Sequence, residues 1–144
     1  MDDKIFWDII AAGCPHDVED PMDWHETLVA ELIKLPPEQI VAFDHSFDEK
    51  TDAAYRRDLW SAAALINGFA SDDGFYYFRC WLVGMGKKVY EAALADPDSL
   101  AEVVDPARDY EAEIYGVARG AWSEKGGSDD DYERAYQALG KRKP

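Results

Sequence analysis

The block from Ser71 to Gly86, SDDGFYYFRCWLVGMG, limits the possible folds more than any other stretch of the chain. Phe75, Phe78, Leu82 and Met85 recur at helical spacing, and Tyr77 and Trp81 widen their face until nearly every side is apolar. Such a helix must be wrapped by other elements, so the reading places it at the centre of a helical bundle. Ser71 reads as its N-cap, and Asp72 and Asp73 fall in a first turn whose dipole favours acid. Gly84 and Gly86 read as its end. Arg79 is out of place there, a cation flanked by Phe78, Cys80 and Trp81.

The rest of the chain supplies the surrounding helices. Ile5, Phe6, Ile9 and Ile10 repeat with helical spacing until Gly13 to Pro15 stops them, and Pro21 suits the first turn of the next helix. That helix carries the stripe Trp24, Leu28, Leu32 and Leu35, and Pro36-Pro37 opens a third with Ile40, Phe43 and Phe47 on one face. A fourth is expected over about 51–66, where Ser61 to Ala64 would let another helix come close, with Asn67-Gly68 as its stop. After the central helix come a shorter one through Val89, Tyr90, Ala93 and Leu94, and a short turn of helix over 100–104. Two more patterns follow, at about 110–121 and 128–139. Every proline lies near a boundary, and no strand alternation is read. The expectation is an all-α, irregular orthogonal bundle of seven or eight helices in one domain over 1–144, with a C-terminal helical extension over 105–140 and a basic tail at 141–144.

Charge narrows the partners. The 144 residues hold 30 acids and 15 bases, a formal net charge of −15. That field repels nucleic acid and anionic membranes, so neither is expected to bind, and a charged partner should be basic. No apolar run approaches the 18–20 residues a membrane span needs. The acidic opening MDDKIFWDII lacks the basic region of a signal peptide. Cys14 and Cys80 form no C-x-x-C pair, and two reduced thiols suit the cytoplasm, the expected location.

The order of FW at Phe6-Trp7, LPPEQIVAF at Leu35 to Phe43, AYRRDLWSAAALING at Ala54 to Gly68 and the SDDGF..FR.WL block resembles a bacterial family of domains of unknown function, number 4240. The resemblance spans about residues 3–104 and is looser after Asp105. It implies a single domain and supplies no catalytic residue.

Candidate sites follow from polar groups in unexpected places. A buried Arg79 demands compensation. The expected form is a carboxylate from a neighbouring helix, with Glu31, Asp58, Asp72 and Asp73 as candidates. The alternative is a ligand pocket built from Arg79, Asp72, Asp73 and Asp58. Asp44 and Asp48 have the i, i+4 spacing of helical metal ligands, but neither H-E-x-x-H nor an EF-hand loop occurs, so no metal or cofactor is expected. Cys14 beside His16 lacks any sign of an oxyanion hole. No catalytic residue is assigned.

Tyr110, Tyr115, Trp122, Tyr132 and Tyr136 lie among acids and read as a recognition surface for a basic, partly apolar protein. The expected function is therefore a non-enzymatic binding or regulatory module, monomeric or weakly dimeric, of which a small inhibitor or immunity-type protein is one form. A small-molecule binder or enzyme with a pocket near Arg79 is the alternative.

Overall fold

A computed structural model describes residues 1–105 and 108–142, so the end of the basic tail, Lys143 and Pro144, lies outside the described residues. The apolar block forms α5 (Asp72–Gly84), with Phe75, Phe78, Cys80, Trp81, Leu82 and Val83 all buried. Seven further helices accompany it: α1 (Asp3–Gly13), α2 (Trp24–Ile33), α3 (Pro37–Ala53), α4 (Arg57–Asn67), α6 (Lys87–Ala95), α7 (Val117–Glu124) and α8 (Asp129–Ala138). Short 3-10 turns run over Pro21–Asp23 and Pro97–Glu102. No strand occurs among the described residues, so the fold is all-α.

α2 packs between α1 and α7, and α3 packs against α5, α7 and α8. One aromatic core joins them, with Phe6, Trp24, Phe43, Phe47, Phe78 and Trp81 almost free of solvent. The Ser71 hydroxyl accepts from the Gly74 N–H at 3.1 Å, which is the N-cap expected of α5. Gly68 at φ +82° ends α4 and Gly86 at φ +100° precedes α6, both left-handed positions that favour glycine.

Gly84 is the last residue of α5, as the sequence reading has it, and sits in close contact with α2. A Cβ there would lie 2.3 Å from the Trp24 ring, whose indole is fixed by its N–H bond to the Pro15 carbonyl. The predicted fourth helix shifts. α3 runs on to Ala53, and the chain turns at 54–56 before α4 begins at Arg57.

The C-terminal carbonyls of three helices receive cationic side chains from elsewhere in the chain. Arg79 donates to Thr51 O at 2.8 Å at the end of α3, and Arg56 donates to Leu94 O at 2.8 Å at the end of α6. Lys125 donates to Ile33 O and Leu35 O at 3.0 and 2.6 Å at and just beyond the end of α2. Last-turn carbonyls lack partners within their own helix and carry the negative end of its dipole, so a cation there satisfies both needs. At the end of α3 the local sequence offers little to terminate the helix and the tertiary contact does it, whereas α2 and α6 also meet Pro36 and Pro97 just beyond their ends.

Residues 110–114 are not the start of the predicted 110–121 helix. Tyr110, Ala112 and Ile114 are buried while Glu111 and Glu113 face outward, a period of two that marks extended chain. Asn67 holds this segment at both polar groups of Tyr110, accepting from its N–H at 2.9 Å and donating to its carbonyl at 3.4 Å. Ala112 N–H adds a bond to Tyr77 O, and Gly116 at φ +84° turns the chain into α7.

Candidate functional site

Arg79 sits in the middle of α5 at 7% exposure. Among the described residues no carboxylate lies within 4 Å of its guanidinium, which corrects the expected ion pair. Its charge is met in two other ways. One is the Thr51 carbonyl at the negative end of α3. The other is a set of ring faces, with Tyr55, Phe75 and Tyr76 centred 4.7, 4.8 and 5.4 Å from Cζ. Burial still pulls the guanidinium below its ordinary value, and Nε keeps no hydrogen-bond partner.

The acids read beside Arg79 do not meet it. Asp72 and Asp73 are exposed in the first turn of α5. Asp58 is exposed at the start of α4, where it pairs with Arg56 at 2.6 Å and accepts from Leu59 N–H. None of the hollows described below is lined by any of these four residues.

The five aromatics assigned to a recognition surface divide sharply. Tyr110 and Tyr132 are buried, at 8% and 1% exposure. Trp122 is half-buried, donating to Ser128 O and meeting Tyr132 edge-on at 5.4 Å. Tyr136 is half-buried as well, and only Tyr115 is exposed, at 54%. Most of the group holds α7 and α8 to the bundle.

Tyr132 and Tyr136, one turn apart on α8, face Asp44 and Asp48, one turn apart on α3. The Tyr132 hydroxyl donates to Asp44, and the Tyr136 hydroxyl donates to Asp48 Oδ2 at 2.6 Å. Burial, with Asp48 nearby, pushes the Asp44 carboxyl up to about 6. Burial also raises Asp48, against the opposing Tyr136 and Arg142 contacts. A hollow of about 300 Å³ opens beside these rungs, with Arg119, Tyr115 and Gln137 on its wall. The i, i+4 acids were visible in the sequence, but their tyrosine partners lie 88 residues away, a spacing no local motif reveals.

The least expected surface is α4. The thirteen residues from Leu59 to Ser71 contain no charged side chain, in a chain that is 31% charged. Leu65 is 85% exposed and Phe69 77%. A hollow of about 400 Å³ runs along one side, where Ala62, Leu65 and Ile66 face Pro97, Leu100 and Val104. Another, of about 530 Å³, lies at the start of the helix between Tyr55, Arg57 and Trp60.

Cys14 and Cys80 are free and buried, and burial pushes the Cys80 thiol up to about 12, so neither resembles an activated nucleophile. Among the described residues no group of three or more His, Cys, Asp or Glu could hold a metal, and no helix is long and apolar enough to cross a membrane. Compared with known proteins, the chain matches over residues 1–136 a family described as "Protein of unknown function (DUF4240)". That match takes in α7 and most of α8, well beyond the 3–104 stretch that carried the resemblance. No curated protein and no solved structure matches.

Proposed function

Because the chain belongs to the DUF4240 family, whose description assigns no activity, we propose its role from its surface: a non-enzymatic module that docks a basic, amphipathic helix of another protein along α4. The observation that carries this reading is the uncharged run from Leu59 to Ser71, with Leu65 exposed on the wall of an apolar hollow and Phe69 exposed four residues further along the chain. Large apolar side chains clustered in this way mark interaction surfaces, and the small residues Ser61, Ala62 and Ala64 allow close helix approach.

Charge selects the sign of the partner. Asp72 and Asp73 follow the ridge in sequence, Asp58 at its other end being paired with Arg56, and Asp96, Asp98 and Glu102 belong to the segment across the hollow. Between residues 58 and 74, and between 95 and 105, no lysine or arginine occurs. An apolar strip with an acidic rim complements a helix with Leu-type anchors and basic flanks, and the net charge of −15 would speed the encounter. An inhibitor or immunity-type protein facing a basic target is one form of such a module. The cytoplasm is the compartment we infer, supported by two free, buried thiols.

The test uses a labelled amphipathic Leu/Lys helix of about 18 residues, five turns, and a Leu/Glu helix of equal length. The Leu/Lys helix is expected to bind the wild type and to lose binding to Leu65→Asp, while the Leu/Glu helix does not bind. Equal binding of both peptides, or a Leu65→Asp variant that binds like the wild type, overturns the reading. Sedimentation of the protein alone decides whether a second copy covers the ridge instead.

A further inference from the structure

Beyond α8 the chain turns at Gly140, φ +81°, and runs back onto α3. The Gly140 carbonyl lies 3.3 Å from His45 Nε2. Arg142 Nε lies 2.8 Å from Asp52 Oδ2, and its Nη1 lies 3.3 Å from Asp48 Oδ2 and 3.1 Å from the Tyr136 hydroxyl. We propose that the notch formed by His45, Asp48, Asp52 and Tyr136 is a recognition site for an arginine-bearing segment of a basic partner, occupied in cis by Arg142 until that partner displaces it.

The geometry is that of guanidinium recognition. Two carboxylates and a hydroxyl engage two separate nitrogens of the planar group, Nε and Nη1, a spread of donors that a compact ammonium does not match. The acceptors are also held in place. The Asp48 side chain is only 25% exposed, and the Tyr136 hydroxyl donates to the same oxygen that Arg142 meets. His45 is set by Glu49, 3.0 Å from its Nδ1, so its other nitrogen faces a main-chain carbonyl two residues before the arginine. The notch thus reads a segment of backbone together with one side chain.

The occupant is weakly held. The Arg142 side chain is 41% exposed beyond the last helix, where an exposed ion pair contributes little and the advantage is mainly that of a tethered competitor. The hollow beside the rungs leaves room for the neighbouring side chains of an incoming segment. This inference shares the sign of the partner with the α4 reading but does not rest on that surface.

The experiment uses the full chain and a fluorescein-labelled peptide, LGKR, copying Leu139 to Arg142, with an LGKK control of equal charge. LGKR is expected to bind Arg142→Gln about tenfold more tightly than the wild type, as removal of a tethered competitor requires. LGKK should bind several-fold more weakly. Adding Asp52→Asn to Arg142→Gln should abolish the gain, whereas adding Asp98→Asn, the same loss of charge at the α4 hollow, should leave it intact. Equal binding to wild type and Arg142→Gln, equal binding of LGKR and LGKK, or equal effects of the two Asn changes would each overturn the proposal. Nitrogen-15 NMR of the wild type gives a check that needs no variant. The Arg142 Nε–H should be shifted from the free position, and should move to it as LGKR is added; a free signal at the outset refutes occupancy in cis.

Discussion

Arg79 shows how a cation can be buried without an anion. The end of α3 supplies a carbonyl at 2.8 Å and a negative dipole, and three rings present their faces to the guanidinium plane. The sequence showed that Arg79 would be buried and needed compensation. It did not show the source, because the end of α3 at Ala53 carries no glycine or proline to mark it. An ion pair and a dipole contact differ in what mutation does. With a paired acid, removing Arg79 strands a carboxylate, and neutralising that acid restores stability. Here Arg79→Met should cost roughly 1–3 kcal/mol, mainly through the orphaned Thr51 carbonyl and the lost ring contacts. Adding Asp52→Asn, Asp58→Asn, Asp72→Asn or Asp73→Asn should recover none of it. Thermal melts of the single and paired variants check this, and recovery by any one of the four would restore the ion-pair explanation.

At the scale of the element, the joint between α3 and α8 is a ladder of two carboxylates and two phenols. Asp44 is raised to about 6 in the folded chain against roughly 3.9 when unfolded. Between about pH 4 and 6 the folded state therefore holds a proton that the unfolded state has released. Stability from this group is present at the acid end of that window and is lost as pH rises through 6. Asp44→Asn keeps an oxygen to accept from Tyr132 and removes the ionisation. The variant should be more stable than the wild type by roughly 1–3 kcal/mol at pH 8, with the difference vanishing near pH 4. Urea melts from pH 4 to 8 measure it; a difference that does not change with pH, or a less stable variant at pH 8, would contradict the assignment. The helices themselves were largely legible from apolar period and proline position. Their ends were less so, because Ala54 to Arg56 contain no local breaker and the turn depends on Arg79 and Arg56 reaching α3 and α6. The sequence reading makes Tyr110 to Tyr115 the start of a helix, whereas the segment is extended and, with no partner strand among the described residues, is held by Asn67 and Tyr77.

For the whole molecule, sequence and structure differ most over which aromatics face solvent. Composition could count eight tyrosines and five tryptophans, but it could not sort Tyr132, buried against Asp44, from Tyr115, exposed on the surface. The uncharged run on α4 was visible as a helix that others could approach, and its exposure emerged only from the packing. Charge, by contrast, belongs to the whole chain and needs no fold to be read. The basic residues most deeply committed to the structure, Arg79 and Arg56, are bound to helix ends, and Arg119, Arg134 and Arg142 each pair with an acid. Among the described residues these contacts leave few free cations to follow a phosphate backbone, and a net charge of −15 opposes its approach. Random-sequence duplex DNA should show no binding in a mobility-shift assay at physiological salt, and lowering the salt should not create it. The same repulsion acts within the folded chain, so added sodium chloride should raise the melting temperature as it screens the excess acid. Sub-micromolar DNA binding that weakens with salt, or a melting temperature that falls as salt is added, would show that local pairing outweighs the global field.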